Sequence, residues 1–335
     1  MRFGLIVQMT GPLGDPRPLV RLARDAEAAG WDGFFIWDVF GGAADAPEPV
    51  VDPWIALAAI ATVTERMRLG PMVTPLPRRR PWKVAREAAS LDQLSNGRLI
   101  LGVGIGDRPE EFSRFGEEPD PRVRAGMLDE GLEVLTGLWS GEPFSFHGKH
   151  YTLEDVQIRP RPIQPGGPPL WIGASVPPAA RRAGRIADGF VGTPSTSLES
   201  ATRLLDVYKD AARQAGRQPR VIMMRDAWVA STQAEADAVY GPHVLAAYQY
   251  YWQQRLEEFR DFPADAEFTL KLLAPDRLIL GEPETCVREF HRWREATGAD
   301  YFLLRLRHAH SGGPAHEKIM ATIRLFGDRV LPHCR

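Results

Sequence analysis

The 335-residue sequence has few cysteines, no long apolar run and no excess of charge of either sign. Its two cysteines, Cys286 and Cys334, are too few for a disulfide framework, so a reducing, cytoplasmic location is expected. No stretch reaches the roughly 18 apolar residues that cross a bilayer, which excludes a membrane-spanning protein. The net charge of −2 creates no field that attracts nucleic acid. We therefore expect a globular protein that acts on a small molecule.

Short apolar runs alternate with amphipathic segments along the whole chain. Parallel strands need crossover connections, and eight strands separated by helices favour a closed barrel over an open sheet. We therefore predict an α/β fold, a single (β/α)8 TIM-barrel domain over residues 1–335. The eight predicted strands are 3–8, 33–37, 67–73, 98–103, 169–173, 189–191, 220–230 and 301–307.

Two insertions, at about 140–168 and 235–283, interrupt this alternation. The first contains 144–153 (FSFHGKHYTL), which alternates around a turn and predicts a hairpin. The second contains 246–259 (AAYQYYWQQRLEEF), which predicts a helix rich in aromatic residues. Insertions in a barrel usually shape the substrate pocket, so an apolar or aromatic substrate is expected.

Polar and small residues follow the predicted strands, where a TIM barrel builds its active site. The glycines at 102, 104 and 106 have the spacing G-x-G-x-G and precede no helix, unlike a dinucleotide-binding fingerprint. They indicate either a tight turn or strand ends that let a planar ring approach the backbone. The residues that follow the strands include Trp37, Asp38, Thr74, Gly104, Ile105, Gly106, Asp107, Ala174, Ser175 and Thr193.

The last strand carries two arginines and leads into three histidines. Arg305 and Arg307 alternate with leucines, so one face of the strand can present an arginine to the barrel mouth. His308, His310 and His316 have no cysteine, aspartate or glutamate beside them to complete a metal site, so no metal is predicted. The candidate substrate-binding residues are Trp37, Arg305, Arg307 and His308.

Three pairs of segments resemble the luciferase-like family, which contains flavin-dependent monooxygenases and oxidoreductases that use the deazaflavin coenzyme F420. RMRLGPMVTP (66–75) precedes SLDQLSNGRLILGVGIG (90–106), and PPLWIGAS (168–175) precedes RIADGF (185–190). GEPET (281–285) and TGADYF (297–302) resemble the closing segment of the family. The resemblance implies a (β/α)8 barrel, a homodimer and a cofactor held in the C-terminal mouth.

The resemblance also implies cofactor contacts at particular positions. Val73 and Thr74 match a bulge or non-proline cis peptide against the ring, and residues 104–106 match a backbone contact to the ring edge. Residues 173–175 match a site for the tail phosphate, consistent with the anion affinity of a helix N-terminus, although Ser175 could simply cap that helix. The implied cofactor-binding residues are Asp38, Val73, Thr74, Gly104, Ile105, Gly106, Gly173, Ala174, Ser175, Gly192 and Thr193.

Two acidic residues, Asp38 and Asp107, are candidates for catalysis. Asp38 matches an acidic position that touches the cofactor in the deazaflavin branch, where a histidine commonly follows; here Val39 follows. Asp107 falls where some deazaflavin-dependent sugar-phosphate dehydrogenases carry a glutamate acid. Asp107 could transfer a proton or could cap the following turn. The missing histidine argues against sugar-phosphate dehydrogenation.

These observations predict an oxidoreductase and leave its cofactor undecided. The leading hypothesis is a luciferase-like monooxygenase, a flavoprotein that uses reduced FMN from a separate flavin reductase, with O2, on a small organic substrate. The alternative is an F420-dependent reductase or dehydrogenase that transfers hydride. A non-catalytic flavin-binding protein is the hypothesis from another class. In each enzyme the cofactor carries the chemistry, while the protein orients it and excludes water.

Overall fold

The computed structural model describes residues 1–40, 48–259, 262, 267–308 and 311–335, so His310 lies outside the described residues. The strands are β1 (Arg2–Val7), β2 (Gly33–Ile36), β3 (Arg68–Pro71), β4 (Thr74–Pro75), β5 (Leu101–Gly104), β6 (Phe144–His147), β7 (Thr152–Val156), β8 (Leu170–Gly173), β9 (Gly189–Val191), β10 (Val221–Val229), β11 (Leu278–Gly281) and β12 (Tyr301–Arg305). The helices are α1 (Pro16–Ala28), α2 (Pro53–Ala61), α3 (Pro81–Leu94), α4 (Glu110–Ser113), α5 (Pro121–Trp139), α6 (Pro177–Ile186), α7 (Leu198–Gln214), α8 (Gln233–Gln253), α9 (Leu270–Arg277), α10 (Pro283–Thr297), α11 (His316–Arg329) and α12 (Leu331–Cys334). Within those ranges, none of the helices has the length and apolar character needed to cross a membrane.

The main sheet is parallel and curves into a nearly closed barrel. Its strand order is β3-β2-β1-β12-β10-β9-β8-β5-β4. The two strands at the ends of this order, β3 and β4, are successive parts of one stretch of chain. A parallel bridge between Leu69 and Leu99 also joins β3 to the residues before β5. The predicted TIM barrel is confirmed.

The structure differs from the predicted elements in three places. The predicted third strand, 67–73, ends at Pro71, and the chain resumes as β4 after a cis peptide between Met72 and Val73. The insertion 235–283 contains a strand that was not predicted, β11, which pairs with the second half of β10. The sequence of β11 is only four residues long, so its pattern of apolar residues cannot distinguish a strand from a helix. The predicted helix 246–259 is wrong at its end, because α8 stops at Gln253 and Glu257–Phe259 forms a 3-10 turn.

Side chains alternate between two separate cores. One face of each barrel strand packs against the surrounding helices, and the other fills the barrel interior. The interior cluster contains residues of six barrel strands, together with Met72 between β3 and β4 and Ile100 just before β5. The members from the strands are Ile6, Phe35, Trp171, Val191, Ile222, Met224, Tyr301 and Leu303. Trp37 and Val73 pack against this cluster from the carboxyl ends of the strands. These two residues therefore mark the floor of the barrel mouth.

A buried glutamate ties α1 to the start of β3. The carboxylate of Glu27 accepts hydrogen bonds from the backbone N–H groups of Glu65, Arg66 and Met67, at 2.7–3.1 Å. Burial would raise the pKa of Glu27, but these three hydrogen bonds hold it below its usual value of 4.5. The glutamate thus serves as an anionic cap for a loop on the amino-terminal side of the barrel.

We expect Glu27→Gln to lower the free energy of unfolding at pH 7 by about 1–2 kcal/mol, because the hydrogen bonds lose their charged acceptor. Since the pKa of Glu27 is depressed in the folded state, its contribution is present above pH 4.5 and lost as the pH falls through the folded value. Urea unfolding at pH 7 and pH 4 measures both effects. The exposed Glu295→Gln is the control. If wild type and Glu27→Gln differ in free energy of unfolding by as much at pH 4 as at pH 7, this role is contradicted.

Candidate functional site

The carboxyl ends of three barrel strands bring Val73, Gly104 and Gly173 together. Pro75 pairs in register with Gly104, and Gly173 pairs with Val191. A Cβ atom added to Gly104 would lie 3.0 Å from Val73 Cγ2, and one added to Gly173 would lie 3.2 Å from Val73 Cγ1. Side chains at either glycine would therefore fill the space beside Val73. Their absence leaves a shallow cradle of backbone around one apolar side chain, which suits the face of a planar ring.

The loop after β5 is held from below by an arginine that the sequence analysis missed. Gly106 has a φ of 83°, and an added Cβ would lie 2.5 Å from the Phe112 ring. Arg124 of α5 donates a hydrogen bond to the Ile105 carbonyl at 3.0 Å, and its guanidinium lies 4.0 Å from the centroid of Phe112. Burial lowers the pKa of Arg124. The sequence analysis could not predict this contact, because Arg124 lies on a helix 19 residues after Ile105.

Asp38 is a hydrogen-bond acceptor for three side chains. It is 4% exposed and accepts hydrogen bonds from Thr74 Oγ1 at 2.9 Å, from Arg78 at 3.2 Å and from Arg79 at 3.0 and 3.1 Å. Arg78 also pairs with Glu111 at 2.6 Å. A carboxylate held this way is suited to fixing the β4 strand end and neutralising arginines rather than to donating a proton.

Asp107 lies on the same loop as Gly106 but in a different environment from Asp38. It is exposed, and it makes no hydrogen bond or ion pair with the described residues. The alternative that it caps the following turn is wrong, because Pro109 precedes α4 and no side chain caps that helix. Asp107 is not among the hydrogen-bond partners of Asp38, so the two carboxylates are not paired as an acid and a base.

The helix start after β8 offers fewer donors than the sequence analysis expected. Pro177 and Pro178 occupy the first two helical positions and carry no N–H. The alternative that Ser175 caps this helix is also wrong, because Val176 is the N-cap and no side chain caps it. Ser175 is exposed, so its hydroxyl is open to a ligand. The neighbouring Ala174 N–H donates to the Val191 carbonyl at 3.0 Å, which places 174 beside Gly192.

Thr193 contacts a second hydroxyl on the same loop. Its Oγ1 is hydrogen-bonded to Thr196 Oγ1, and the Thr196 carbonyl accepts a hydrogen bond from Arg225 at 2.6 Å. Arg225 is fully buried against the Trp293 ring, and burial lowers its pKa to about 9. These contacts fix the loop that follows β9.

Arg305 and His308 belong to a buried network rather than to open solvent. Arg305 forms a two-pronged ion pair with Asp226, at 2.6 and 2.8 Å, and Tyr248 donates to the same carboxylate at 2.7 Å. Burial would raise the pKa of Asp226, but the charges of Arg305 and His308 hold it below its usual value. His308 Nε2 lies 2.9 Å from the Tyr240 hydroxyl. The network joins β10, β12 and α8.

The other two candidate substrate-binding residues, Trp37 and Arg307, have different surroundings. The Arg305 guanidinium lies 5.7 Å from the centroid of the Trp37 ring, so these two are neighbours at the mouth. Arg307 is held by other partners, since it donates to the Gly312 carbonyl at 3.0 Å and to Thr10 Oγ1 at 3.3 Å. The structure thus brings Arg305 and Trp37 together and gives Arg307 no contact with either.

The residues at the mouth fit a flat, flavin-shaped group. The fit rests on the cradle of Val73, Gly104 and Gly173, where the two glycines leave the space beside Val73 free of side chains. Thr74 lies beside this cradle with its hydroxyl fixed on Asp38. In the parts of the chain that the structure describes, no group of three or more His, Cys, Asp or Glu side chains is placed to hold a metal ion.

Comparison with known proteins identifies relatives across the chain. A family model described as luciferase-like monooxygenase matches residues 1–301. An F420-dependent glucose-6-phosphate dehydrogenase from Nakamurella multipartita is 31% identical over 333 residues, covering 96% of this chain and 93% of the relative. The crystal structure of monooxygenase RslO1 from Streptomyces bottropensis has a TM-score of 0.82 at 26% identity, and each chain is covered completely. An F420-dependent tetrahydromethanopterin reductase from Methanopyrus kandleri has a TM-score of 0.80 at 22% identity, covering 100% of this chain and 99% of that one.

Proposed function

The chain belongs to the luciferase-like monooxygenase family and is an oxidoreductase, and on that basis we propose that it transfers hydride with coenzyme F420. The observation that carries the proposal is the 31% identity, over 96% of the chain, to an F420-dependent dehydrogenase. This supports the alternative from the sequence analysis better than the FMN-dependent monooxygenase that was the leading hypothesis. A small organic molecule is the proposed substrate.

F420, when bound, supplies a ring carbon that accepts or donates hydride. Val73, Gly104 and Gly173 would support one face of the ring, and residues 104–106 would contact its edge through the backbone. Thr74 would stand at the ring with its hydroxyl oriented by Asp38. Ser175, Gly192 and Thr193 would bind the phosphate of the tail.

The chain's own residues then have to orient the substrate and move a proton. Oxidation of an alcohol to a carbonyl removes a hydride from carbon and a proton from oxygen. Asp38 is engaged with Thr74, Arg78 and Arg79, so we assign the proton transfer to Asp107, which has no such partners. The side chain of Asp107 would accept the proton in oxidation and return it in reduction.

Sugar phosphates are not the substrates that the mouth fits best. A phosphate dianion needs cationic side chains that can approach it. Arg305 is paired with Asp226, and Arg78 and Arg79 are paired with Asp38. Val39 also stands where a histidine commonly follows the aspartate in the deazaflavin branch. The proposed activity is therefore that of an F420-dependent dehydrogenase or reductase with a substrate other than a sugar phosphate.

A parallel calorimetric titration with F420 and oxidised FMN tests the cofactor assignment. We expect F420 to bind at least about tenfold more tightly than FMN, a difference of about 1.4 kcal/mol. FMN binding more tightly than F420 would return the assignment to the monooxygenase. If neither cofactor binds with a dissociation constant below about 100 µM, which corresponds to about −5.5 kcal/mol, both cofactor assignments are wrong.

Replacing the proposed proton-transfer residue gives a sharper test. We expect Asp107→Asn to lower kcat by about 100-fold or more, the usual contribution of a positioned acid or base. The dissociation constant of F420 should stay the same, because Asp107 is assigned no contact with the ring. Glu110→Gln, at an exposed residue at the start of α4, is the matched control. Equal kcat values for Asp107→Asn and Glu110→Gln would assign the proton transfer to another group.

The FMN-dependent monooxygenase is retained as a second candidate for one reason. The monooxygenase RslO1 matches this chain over its full length at 26% identity. Under that assignment the same cradle would hold FMN, and a separate flavin reductase would be needed as a partner. Oxygen consumption with reduced FMN and substrate, at a rate above that of the free flavin, would favour this candidate.

A further inference from the structure

Two buried polar atoms at the barrel mouth have no hydrogen-bond partner among the described residues. They are Gln8 Oε1 and Trp37 Nε1. Gln8 is 3% exposed, so solvent does not satisfy its amide oxygen. A buried polar group left unsatisfied costs free energy, because it has given up its hydrogen bonds to water. A ligand that pairs with both atoms would recover this cost.

The two residues are neighbours on adjacent strands. Ile6 pairs in register with Phe35 and Val7 with Ile36, so Gln8 and Trp37 form the next pair beyond the carboxyl ends of β1 and β2. The backbone N–H of Trp37 donates a hydrogen bond to the Val7 carbonyl at 3.2 Å, which continues the strand pairing. Side chains two residues apart on a strand share a face. Because Ile6 and Phe35 belong to the interior cluster, Gln8 and Trp37 face the mouth.

The pair offers one acceptor and one donor, and the charge that lies against the Trp37 ring is balanced. Gln8 Oε1 accepts a hydrogen bond, and the Trp37 indole N–H donates one. The guanidinium of Arg305 lies 5.7 Å from the Trp37 ring centroid, but its charge is balanced by Asp226. An uncharged ligand group that both donates and accepts fits this environment.

We propose that Gln8 and Trp37 are substrate-binding residues that recognise a hydroxyl group of an uncharged substrate. The substrate oxygen accepts from Trp37 Nε1, and its hydrogen is donated to Gln8 Oε1. This inference deepens the proposed function and rests on it. Its role is recognition, since neither side chain exchanges a proton at neutral pH.

The test uses cyclohexanol and its methyl ether, which keeps the acceptor oxygen but has no hydroxyl hydrogen. Ligand-observed NMR measures the binding of each to the protein, alone and loaded with F420. We expect wild type to bind cyclohexanol about tenfold more tightly than the ether, since one hydrogen bond contributes about 1.4 kcal/mol. In Gln8→Leu this ratio should fall to about threefold or less.

Trp37→Phe provides a second, independent variant. It keeps one aromatic ring but removes the indole N–H together with the second ring of the indole, so both ligands should bind more weakly while their ratio stays near the wild-type value. Gln218→Leu, the same substitution as Gln8→Leu at an exposed position, is the control. Thermal unfolding of each variant confirms that it is folded.

Three results would overturn the inference. They are an unchanged ratio in Gln8→Leu, absence of cyclohexanol binding to wild type, and binding of glucose 6-phosphate in preference to cyclohexanol. A failure of the proposed function is distinguishable from these, because wild type would then not bind F420 while its selectivity for cyclohexanol could still be measured on the unloaded protein.

Discussion

Asp226→Asn should destabilise the protein by about 3–5 kcal/mol, the cost of leaving a buried charge without its partner. Asp226 and Arg305 are 0% and 1% exposed, and their two hydrogen bonds of 2.6 and 2.8 Å neutralise each other's charge. Asparagine keeps the shape but removes the negative charge that balances the guanidinium. Urea unfolding at pH 7 measures the difference.

The matched control for this variant is Asp210→Asn. Asp210 also pairs with an arginine, Arg213, but the two side chains are 61% and 66% exposed. Exposed ion pairs contribute little, so the control should lie within about 0.5 kcal/mol of wild type. The double replacement Asp226→Leu with Arg305→Met should recover part of the lost stability, because it removes both buried charges. Equal effects of Asp226→Asn and Asp210→Asn would show that the buried pair is not what holds β10 to β12.

The pair also gives the protein an acid-sensitive contribution to stability. Because the pKa of Asp226 is lowered in the folded state, its contribution is present above the ordinary value of 3.8 and is lost as the pH falls through the folded pKa. The difference between wild type and Asp226→Asn should therefore be largest near neutral pH.

Gly104→Val should weaken F420 binding on the order of 100-fold, or about 2.7 kcal/mol. A side chain at this position would meet Val73 Cγ2 at 3.0 Å and occupy the cradle assigned to the ring. Val73 is a side chain that can move by a few tenths of an ångström, so the barrel should still fold. Calorimetric titration with F420 measures the affinity.

Two further measurements make the Gly104→Val result specific. Thermal unfolding shows whether the variant is folded. Gly216→Ala controls for the loss of a glycine away from the cradle: no atom lies within 4 Å of an added Cβ, although the φ of 68° will cost some stability. Gly216→Ala should bind F420 as wild type does. If Gly104→Val also binds F420 with wild-type affinity, the ring does not lie on this cradle.

The sequence predicted the barrel because its signal is local. Eight apolar runs separated by amphipathic segments are visible in the chain, and parallel strands joined by helices have few ways to pack. The strand β11 was missed because Leu278–Gly281 is short and lies inside a long insertion. Residue types alone did not predict the split of the third strand into β3 and β4. The family resemblance implied a bulge or cis peptide at Val73 and Thr74, and the structure has the cis peptide one bond earlier, between Met72 and Val73.

Only the part of the site that depends on local sequence could be predicted. Residues at strand ends, such as Asp38, Val73 and Gly104, could be named because the fold fixes where strand ends lie. Their partners could not. Arg124 reaches the loop after β5 from α5, and Asp226 balances Arg305 from a strand far away in sequence. Pairing of charges across distant segments is a property of the packed structure.

Some expectations remain predictions. The homodimer, the flavin reductase as a partner and the cytoplasmic location are expected from the family resemblance and composition, and each needs its own experiment. The individual roles assigned to Trp37, Arg305, Arg307 and His308 in substrate binding also remain predictions. Among these, Arg307 has the least support, because its guanidinium is already held by Thr10 and the Gly312 carbonyl.

Anaerobic hydride transfer tests the central claim most directly. The protein is mixed with F420 in the absence of oxygen and offered uncharged secondary alcohols, deuterated at the carbinol carbon, alongside glucose 6-phosphate. The account predicts reduction of F420 by an uncharged alcohol, with deuterium recovered in the reduced cofactor and no requirement for O2. Failure to reduce F420 with any of these compounds, together with substrate-dependent O2 consumption in the presence of reduced FMN, would contradict it.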